Sequence, residues 1–218
     1  MLDKYKFIGA SYDFLSKLYS GNAIHKCKLA MLREDTIGRG SKVLFVGAGQ
    51  GRDALRAAEL GADVTCVDIS PTMMHKFEKL RHAHPKGSEL NIEPILSDIL
   101  KVERYAQFDL VVINFFLNVF DHNKMTTLLN HSIKLCRPGG KLIIGDFCPP
   151  TGSIIGKSIQ NIYWYAAVTA FFAIAGNAVH TIYEYIPILE KRGFKIVETQ
   201  YFRLLRHDFY YSILAEKK

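Results

Sequence analysis

Residues 42–60 hold the feature that most limits the fold: a short apolar run, three glycines at alternate positions and then a helical pattern. The run 43–46 is apolar and rich in β-branched residues, which is typical of a buried parallel strand. The pattern over 53–60 predicts a helix that ends at Gly61. The glycines are Gly47, Gly49 and Gly51. Because glycines let a backbone approach a ligand and a helix N-terminus offers free N–H groups to an anion, this stretch predicts the first unit of a nucleotide-binding α/β fold.

The next strand helps to decide which nucleotide is bound. A dinucleotide motif has the spacing G-x-G-x-x-G, whereas here the third glycine comes one residue early and Arg52 stands where the last glycine is expected. Residues 63–68 predict a second strand with Asp68 at its carboxyl end. An acidic residue at that place hydrogen-bonds ribose hydroxyls in both NAD and S-adenosylmethionine folds. Asp68 therefore leaves both cofactors possible.

The whole run 43–74 resembles motifs one and two of the class I S-adenosylmethionine-dependent methyltransferases. Those motifs are usually worded V-L-D-x-G-x-G-x-G and D-x-S-x-x-M. The second motif matches fully, while the first departs at Phe45, where an acidic residue is common. The resemblance implies S-adenosylmethionine as cofactor. Its methionine part would lie on the glycine backbone, its ribose on Asp68, and the rest of the cofactor near Ile69 and Met73.

The resemblance also implies the fold class. We expect a Rossmann-like α/β domain with a seven-stranded, mostly parallel sheet, an antiparallel last strand and helices on both faces. Residues 1–218 would form this single methyltransferase domain. Within it, helices in 1–40 would lie over the cofactor and residues 149–192 would form a helical cap over the substrate.

Other segments resemble the ubiquinone/menaquinone C-methyltransferase family. The entry segment Tyr12-Asp13-Phe14-Leu15-Ser16 partly matches that family's Y-D-x-M-N, which implies a cofactor contact for Tyr12, although a helix residue packed on the core would read the same. Residues 115–119 read F-F-L-N-V where the family has F-G-L-R-N-V, so the substrate-site Arg is absent. The methyltransferase resemblance also implies that Asp98 contacts the adenine amino group and that Ile99 and Asn114 contact the cofactor, although an Asp at position 98 also suits a turn or helix cap.

Residues 158–183 contain no Asp, Glu, Lys or Arg, and the run 162–175 within them is strongly apolar. We expect a cap helix whose aromatic residues wall the acceptor pocket. Those residues are Tyr163, Trp164, Phe171 and Phe172. A face that dips into a membrane is the second interpretation, and a spanning helix is disfavoured because the run falls short of the about 20 residues required.

Methylation of a quinol carbon or of a hydroxyl group requires removal of a proton. Three residues near strand ends or in the cap are candidate catalytic groups: Asp146, His180 and Asp121. A histidine in an uncharged stretch is equally compatible with packing or capping.

The charge and cysteine content narrow the range of partners. The net charge of +7 fits either a solvated surface or attraction to an anionic membrane or an acidic substrate. Lys and Arg are scattered without a basic-aromatic cluster, so we expect no nucleic acid partner. The four cysteines lack metal-ligand spacing and the N-terminus lacks a signal peptide pattern, which predicts a cytoplasmic protein without a metal site. The oligomeric state stays open.

Three functions remain to be compared. The first is methyl transfer from S-adenosylmethionine to a small hydrophobic, aromatic or lipid-like acceptor, which is quinol-like by resemblance. The second is a non-methylating S-adenosylmethionine enzyme or binding protein, which Phe45 keeps open unless Asp53 or Asp146 partly replaces the missing acidic group. The third is an NAD-dependent oxidoreductase, which Asp68 permits and the glycine spacing disfavours.

Overall fold

The computed structural model describes residues 22–176, 178–204 and 206–218, so the predicted site residue Tyr12 lies outside the described residues, as does the side chain of Phe171. The helices are α1 (Ala23–Leu29), α2 (Arg52–Glu59), α3 (Pro71–Ala83), α4 (His122–Leu135), α5 (Ile154–Ala175) and α6 (Tyr185–Glu190). The strands are β1 (Lys42–Val46), β2 (Asp63–Asp68), β3 (Ile92–Leu96), β4 (Phe108–Asn114), β5 (Cys136–Phe147), β6 (Phe194–Leu204) and β7 (His207–Lys217). Short 3-10 turns follow β3 at Ile99–Lys101 and β4 at Leu117–Val119.

The strands form one seven-stranded sheet in the order β3-β2-β1-β4-β5-β7-β6. Strand β7 runs antiparallel to both of its neighbours, and the other pairings are parallel. This confirms the predicted mixed sheet with an antiparallel last strand. The strand order reverses between β1 and β4, and open α/β sheets bind ligands at the carboxyl edge beside such a point.

The sheet is covered on both faces, which explains the near-continuous apolar character of its central strands. On β1, Leu44 belongs to a core cluster with residues of α4 and α6. Its neighbour Phe45 belongs to a second cluster with residues of α2 and α3. Alternate side chains of one strand thus enter opposite cores, because successive Cβ atoms point to opposite faces.

The start of β5 differs from the prediction. The sequence R-P-G-G at 137–140 predicts a turn before the strand, but β5 begins at Cys136, which pairs with Phe108. The register then shifts, so that Leu110 faces Lys141. Gly139 has φ of +67° within the extra residues. The glycine pair therefore accommodates a bulge inside the strand, because glycine adopts positive φ at little cost.

Candidate functional site

The glycine loop connects β1 to α2 at the carboxyl edge of the sheet. The N–H groups of Gly47 and Ala48 both donate to the carbonyl oxygen of Val67, at 2.9 and 3.1 Å, which ties the loop to β2. All three predicted glycines have φ between +56° and +68°. Such values favour glycine because a Cβ atom is strained there.

The three glycines serve different purposes. A Cβ atom on Gly47 would lie 2.2 Å from the ring of Phe116, and one on Gly51 would lie 2.1 Å from the ring of Phe77. These two positions therefore need glycine because side chains pack against the backbone. A Cβ atom on Gly49 would meet no atom of the described residues within 4 Å, neighbours in the chain aside. Gly49 is thus the glycine whose Cα side faces open space, where a ligand can approach.

Asp68 organises the loop from the end of β2. Its Oδ2 accepts a 2.8 Å hydrogen bond from the N–H of Gly49, and its Oδ1 accepts one of 2.8 Å from Ser70. The Ser70 hydroxyl group in turn caps α3 by accepting a hydrogen bond from the N–H of Met73. The D-x-S-x-x-M spacing therefore has a structural role as well as the predicted ligand role. It joins the glycine loop to the start of α3 through a half-buried carboxylate.

Two apolar side chains stand exposed beside Asp68. Ile69 follows it, and Leu96 is its register partner at the end of β3. Their exposed fractions are 45% and 55%: Ile69 directly follows the buried strand β2, and Leu96 ends the largely exposed edge strand β3. Ile69 was predicted from the sequence as a cofactor contact, but Leu96 was not. The position of Leu96 at the carboxyl end of β3 was the signal that could have indicated it. Together they offer an apolar wall of the kind on which a flat ring packs.

The other predicted residues after β2 and β3 have structural roles in the fold. Asp98 caps the 3-10 turn after β3, since its Oδ1 accepts a 3.0 Å hydrogen bond from the N–H of Leu100. Ile99 is buried in the main core, and Met73 is buried at the start of α3. The capping alternative for Asp98 is therefore present in the structure, and the proposed adenine contact stays a prediction for its half-buried carboxyl group.

Asn114 lies under the site as a junction between three elements. Its Nδ2 donates to Oδ2 of Asp53 on α2 at 2.9 Å and to the carbonyl oxygen of Lys28 after α1 at 3.2 Å. Its Oδ1 is buried and has no hydrogen-bond partner among the described residues. The amide thus holds α1 and α2 against β4, and its unsatisfied oxygen faces Gly145 on β5.

The departure at Phe45 has a packing explanation. The ring is buried in the cluster under α2 and α3, so an acidic side chain there would be buried without water. The buried carboxylate of Asp53 lies nearby in the fold, bound to Asn114 at the end of β4. Asp53 and Asp146 were the two acidic residues proposed to replace the missing group. Of these, Asp53 lies on α2 and contacts the end of β4.

The residues after β4 are strained and aromatic. Phe115 has φ of +52°, which costs a non-glycine residue about 1–2 kcal/mol, and its N–H donates to the carbonyl oxygen of Gly145 at 2.7 Å. The next ring, Phe116, covers Gly47. Strain of this kind persists where surrounding contacts enforce it, and here the Phe115 ring packs against Phe147 and Tyr210 while the Phe116 ring covers the glycine loop.

An aromatic cluster continues from these rings across the carboxyl ends of β4 and β5. The Phe147 ring contacts Phe115, Trp164 and Tyr210, with centroid distances of 6.0, 4.8 and 5.1 Å. The Tyr163 hydroxyl group lies 2.8 Å from that of Tyr210. We call Phe115, Phe147, Tyr163, Trp164 and Tyr210 the aromatic cluster.

The predicted aromatic wall of the cap is only partly present in this arrangement. Trp164 is buried and its indole N–H donates to the carbonyl oxygen of His180 at 2.9 Å, while Tyr163 joins the cluster. Phe172, however, is 55% exposed on the far side of α5. The prediction that Phe172 faces an acceptor pocket therefore finds no support in the geometry. The sequence did not indicate which side of the helix is buried, because apolar residues occur all around it.

The candidate base Asp146 is enclosed. Its Oδ1 accepts from the N–H of Phe147 and its Oδ2 accepts from the hydroxyl group of Tyr185, both at 2.8 Å. Burial raises the pKa of this carboxyl group to about 7, against the lowering effect of these two donors. Asp146 lies near the end of β5, as predicted. Because both of its carboxyl oxygens accept hydrogen bonds from the protein, it suits a positioning role.

The other two candidate bases also hold structure. The Asp121 carboxylate is exposed and caps α4, accepting a 2.9 Å hydrogen bond from the N–H of Lys124. His180 has its Nε2 2.9 Å from the carbonyl oxygen of Asn118 and stacks on Tyr183 at 4.3 Å. It thereby ties the segment after α5 to the turn after β4. The packing alternative noted for His180 is present in the structure.

The larger cavity lies apart from the glycine loop, and none of the four cysteines belongs to a metal site within the described residues. All four cysteines are free and buried, and the described ranges hold no cluster of three His, Cys, Asp or Glu residues suited to a metal ion. A cavity of about 650 Å³ opens between α1 and the β6–β7 hairpin. Since β6 lies four strands from β1, about 19 Å away, this cavity is not where a group on the loop would react.

The residues present fit S-adenosylmethionine. Gly49 leaves the loop open to a ligand, Asp68 offers a carboxylate beside it, and Ile69 with Leu96 provides an apolar wall. These groups lie together at one edge of the sheet.

Comparisons with known proteins indicate a methyltransferase domain. A family model described as a methyltransferase domain matches residues 43–140. The ubiquinone/menaquinone biosynthesis C-methyltransferase UbiE of Pseudomonas fluorescens is 25% identical over 219 residues, covering 95% of this chain and 83% of that protein. The corresponding protein of Azotobacter vinelandii is 24% identical over 176 residues, covering 79% of this chain and 66% of its own length.

Solved structures show the same fold. The magnesium protoporphyrin IX methyltransferase of Synechocystis, solved with bound S-adenosylmethionine, has a TM-score of 0.70 at 17% identity, covering 100% of this chain and 98% of that one. A Burkholderia thailandensis 1,6-didemethyltoxoflavin-N1-methyltransferase has a TM-score of 0.68 at 18% identity, covering 99% and 87%. With the glycine loop, the Asp68 junction and the mixed sheet, these matches favour a methyltransferase over an NAD-dependent oxidoreductase. The chain is a class I S-adenosylmethionine-dependent methyltransferase.

Proposed function

We propose that this methyltransferase transfers the methyl group of S-adenosylmethionine to an apolar aromatic or lipid-like acceptor of the quinol type. The observation that carries the proposal is the aromatic cluster at the carboxyl ends of β4 and β5, next to the Phe116 ring that covers Gly47. Phe147, Trp164 and Tyr210 are buried and support the half-buried rings of Phe115 and Tyr163, which would meet the acceptor. Apolar rings cannot compensate a highly charged acceptor for its lost water, but they suit an aromatic ring.

The charges near this cluster support the same acceptor class. Asp146 lies behind it with a pKa of about 7, so a substantial fraction of this carboxyl group is neutral near pH 7. The Lys28 ammonium group lies 5.9 Å from the centroid of the Phe115 ring, which is a cation–π distance. A positive group at this place favours an acceptor whose oxygen develops negative charge as its proton leaves.

The sulfonium methyl group of the cofactor is already electrophilic, so the protein mainly binds, aligns and excludes water. The Gly49 backbone and Asp68 would hold the cofactor, with Ile69 and Leu96 against its ring. Phe115 and Phe116 would position the acceptor against the methyl group. Asp146, through Tyr185, positions the end of β5.

The names of the curated relatives point in the same direction, since they are described as ubiquinone/menaquinone biosynthesis C-methyltransferases. The chain departs from that family's motif by having Phe116-Leu117-Asn118 where the motif has an Arg before Asn. We therefore propose the quinol-like class and not one particular quinol.

An acceptor screen with methyl-labelled S-adenosylmethionine tests the proposal. Demethylated quinols, phospholipids, polar amines and RNA are tested as acceptors with the wild-type protein and with Asp68→Ala, which should lower the rate with every acceptor at limiting S-adenosylmethionine. We expect label in the quinols or other apolar rings. Efficient labelling of an amine or of RNA, with none in the apolar acceptors, would refute the acceptor class while leaving methyl transfer intact.

A matched pair of variants tests the role of the rings. Phe116→Ala should raise the KM for the acceptor, because it removes the ring over Gly47. Tyr105→Ala removes a half-exposed ring before β4, at the opposite edge, and should leave both kinetic constants unchanged. Equal effects of the two substitutions would contradict the placement of the acceptor.

A further inference from the structure

Helix α5 has an unusual surface. Its inward face packs on the protein through Gly156, Gln160, Trp164, Ala167 and Val168, all buried. Its opposite face is open to solvent and mainly apolar, with large apolar side chains between 39% and 85% exposed beside the exposed polar residues Ser158, Asn161 and Thr169. We call these residues the outer face of α5: Ile154, Ile155, Ile159, Ile162, Tyr165 and Phe172.

This composition reverses the usual pattern of a surface helix, which places charged and polar residues away from the core. Lys157 is the only charged residue of α5. Large apolar patches on a protein surface mark sites of contact with a partner or a membrane. None of the described helices is long and apolar enough to cross a membrane, so a lipid contact of α5 would lie in the plane of the surface.

The charges at the edge of the outer face distinguish a lipid surface from other partners. The ring of His207 packs close to Gly156, which places the β6–β7 turn beside the start of α5. That turn carries Arg206, which is exposed, and Arg203, which pairs with Asp208 at 3.0 Å. Together with Lys157 these cations border the exposed isoleucines, and residues 151–183 contain no acidic side chain.

We propose that the outer face of α5 and the cations at its N-terminal end form an interface for an anionic lipid bilayer. The isoleucines enter the apolar region just below the headgroups, while Lys157 and Arg206 stay at the level of the lipid phosphates. This inference goes beyond methyl transfer and does not depend on the identity of the acceptor.

Vesicle co-sedimentation measures the interface directly, with vesicles of phosphatidylcholine alone and of phosphatidylcholine mixed with phosphatidylglycerol. We expect the wild-type protein to pellet with the anionic vesicles and to be released by salt. The double variant Ile155→Asn/Ile162→Asn should lose about tenfold or more in partitioning, because two large apolar side chains no longer enter the lipid. The matched control is Val197→Asn, a half-exposed apolar residue on β6.

A second pair of substitutions tests the charges. Lys157→Gln with Arg206→Asn should weaken binding to anionic vesicles and remove most of its salt dependence. Asn is chosen at position 206 because φ is +67° there, and Asn tolerates that conformation. Ile154→Asn, at the most exposed position, replaces the isoleucine pair if the double variant melts at a lower temperature.

Three results would overturn the proposal. One is equal pelleting of the isoleucine variants and the wild-type protein. Another is equal binding to the neutral and anionic vesicles. The third is a light-scattering mass of two chains that falls to one chain in the isoleucine variants, which would show that a second copy covers this face.

Discussion

The hydroxyl group of Tyr185, at the start of α6, donates a 2.8 Å hydrogen bond to Oδ2 of Asp146, near the end of β5, and both side chains are buried. The same tyrosine donates its backbone N–H to the hydroxyl group of Tyr211 on β7. The buried carboxyl group therefore lies at a junction of α6 with two strands of the sheet.

The raised pKa of Asp146 makes stability depend on pH. The folded pKa of about 7 lies above the unfolded value near 4, so between about pH 4 and 7 the folded protein holds a proton that the unfolded chain has lost. The free energy of unfolding should therefore fall as pH rises through this window, by on the order of 4 kcal/mol at most from this group. Urea unfolding at several pH values measures the decline. Asp146→Asn should remove the part of the decline that this carboxyl group causes. The control Asp63→Asn, at the start of β2, should retain the full decline.

Removing the Tyr185 hydroxyl group should destabilise the protein. Tyr185→Phe leaves the buried carboxyl group without this donor, at a cost of about 1–3 kcal/mol. The control Tyr201→Phe changes a tyrosine that is half exposed and should cost much less. In the background of Asp146→Asn the cost of Tyr185→Phe should change, since contacting residues are not additive. Strict additivity in that double-mutant cycle would contradict the coupling.

Alanine substitutions should separate the three loop glycines. Gly51→Ala drives a methyl group into Phe77 at positive φ and should lower the melting temperature strongly. Gly49→Ala meets no such neighbour, so it should cost only about 1–2 kcal/mol from its φ while weakening S-adenosylmethionine binding. Thermal melts and calorimetric titration measure the two effects. A Gly49→Ala protein with wild-type affinity would show that the open side of this glycine does not face the cofactor.

The carboxylate of Asp68 should matter for the cofactor. Asp68→Ala removes the acceptor for Gly49 and the proposed ribose contact, and should weaken S-adenosylmethionine by about 1–3 kcal/mol. Asp63→Ala, at the other end of the same strand, is the matched control. If the folded Asp68→Ala protein binds as tightly as the control, then Asp68 only shapes the loop.

His180 should affect stability more than chemistry. Its ring lies between the Asn118 carbonyl oxygen and the stacked Tyr183 ring, so His180→Gln should lower stability by about 1 kcal/mol. The pH profile of kcat should keep its shape in this variant. Loss of one limb of that profile would instead identify His180 as the base.

The strands and the cofactor motif could be predicted because their signals are local. Apolar runs such as 43–46 mark buried strands, and the glycine spacing with Asp68 marks the loop between them. The bulge at the start of β5 could not be predicted, because the same glycines that predict a turn also permit a bulge. Which of the two forms depends on the pairing of Cys136 with Phe108, which is a contact distant in sequence.

The candidate site was predictable where one motif supplies both partners. Asp68 and Ser70 are two residues apart, and both belong to the recognised spacing. The role of Asn114 was not predictable, since it depends on Asp53 and on the carbonyl oxygen of Lys28, 61 and 86 residues away in the chain. The orientation of α5 was not predictable either, because a helix that is apolar all round carries no periodic signal for its buried side.

The antiparallel direction of β7 also determines where a label or a tether can be attached without covering the site. Because β7 runs away from the carboxyl edge, Lys218 emerges beside the start of β6, where its N–H donates to the carbonyl oxygen of Gly193. Along the β5–β7 pairing, Glu216 lies six residues from Tyr210, a span of about 20 Å. A fluorophore or a surface tether attached to the side chain of Lys218 would therefore lie at the end of the sheet opposite to the glycine loop. The glycine loop and the outer face of α5 would stay accessible in an immobilised sample.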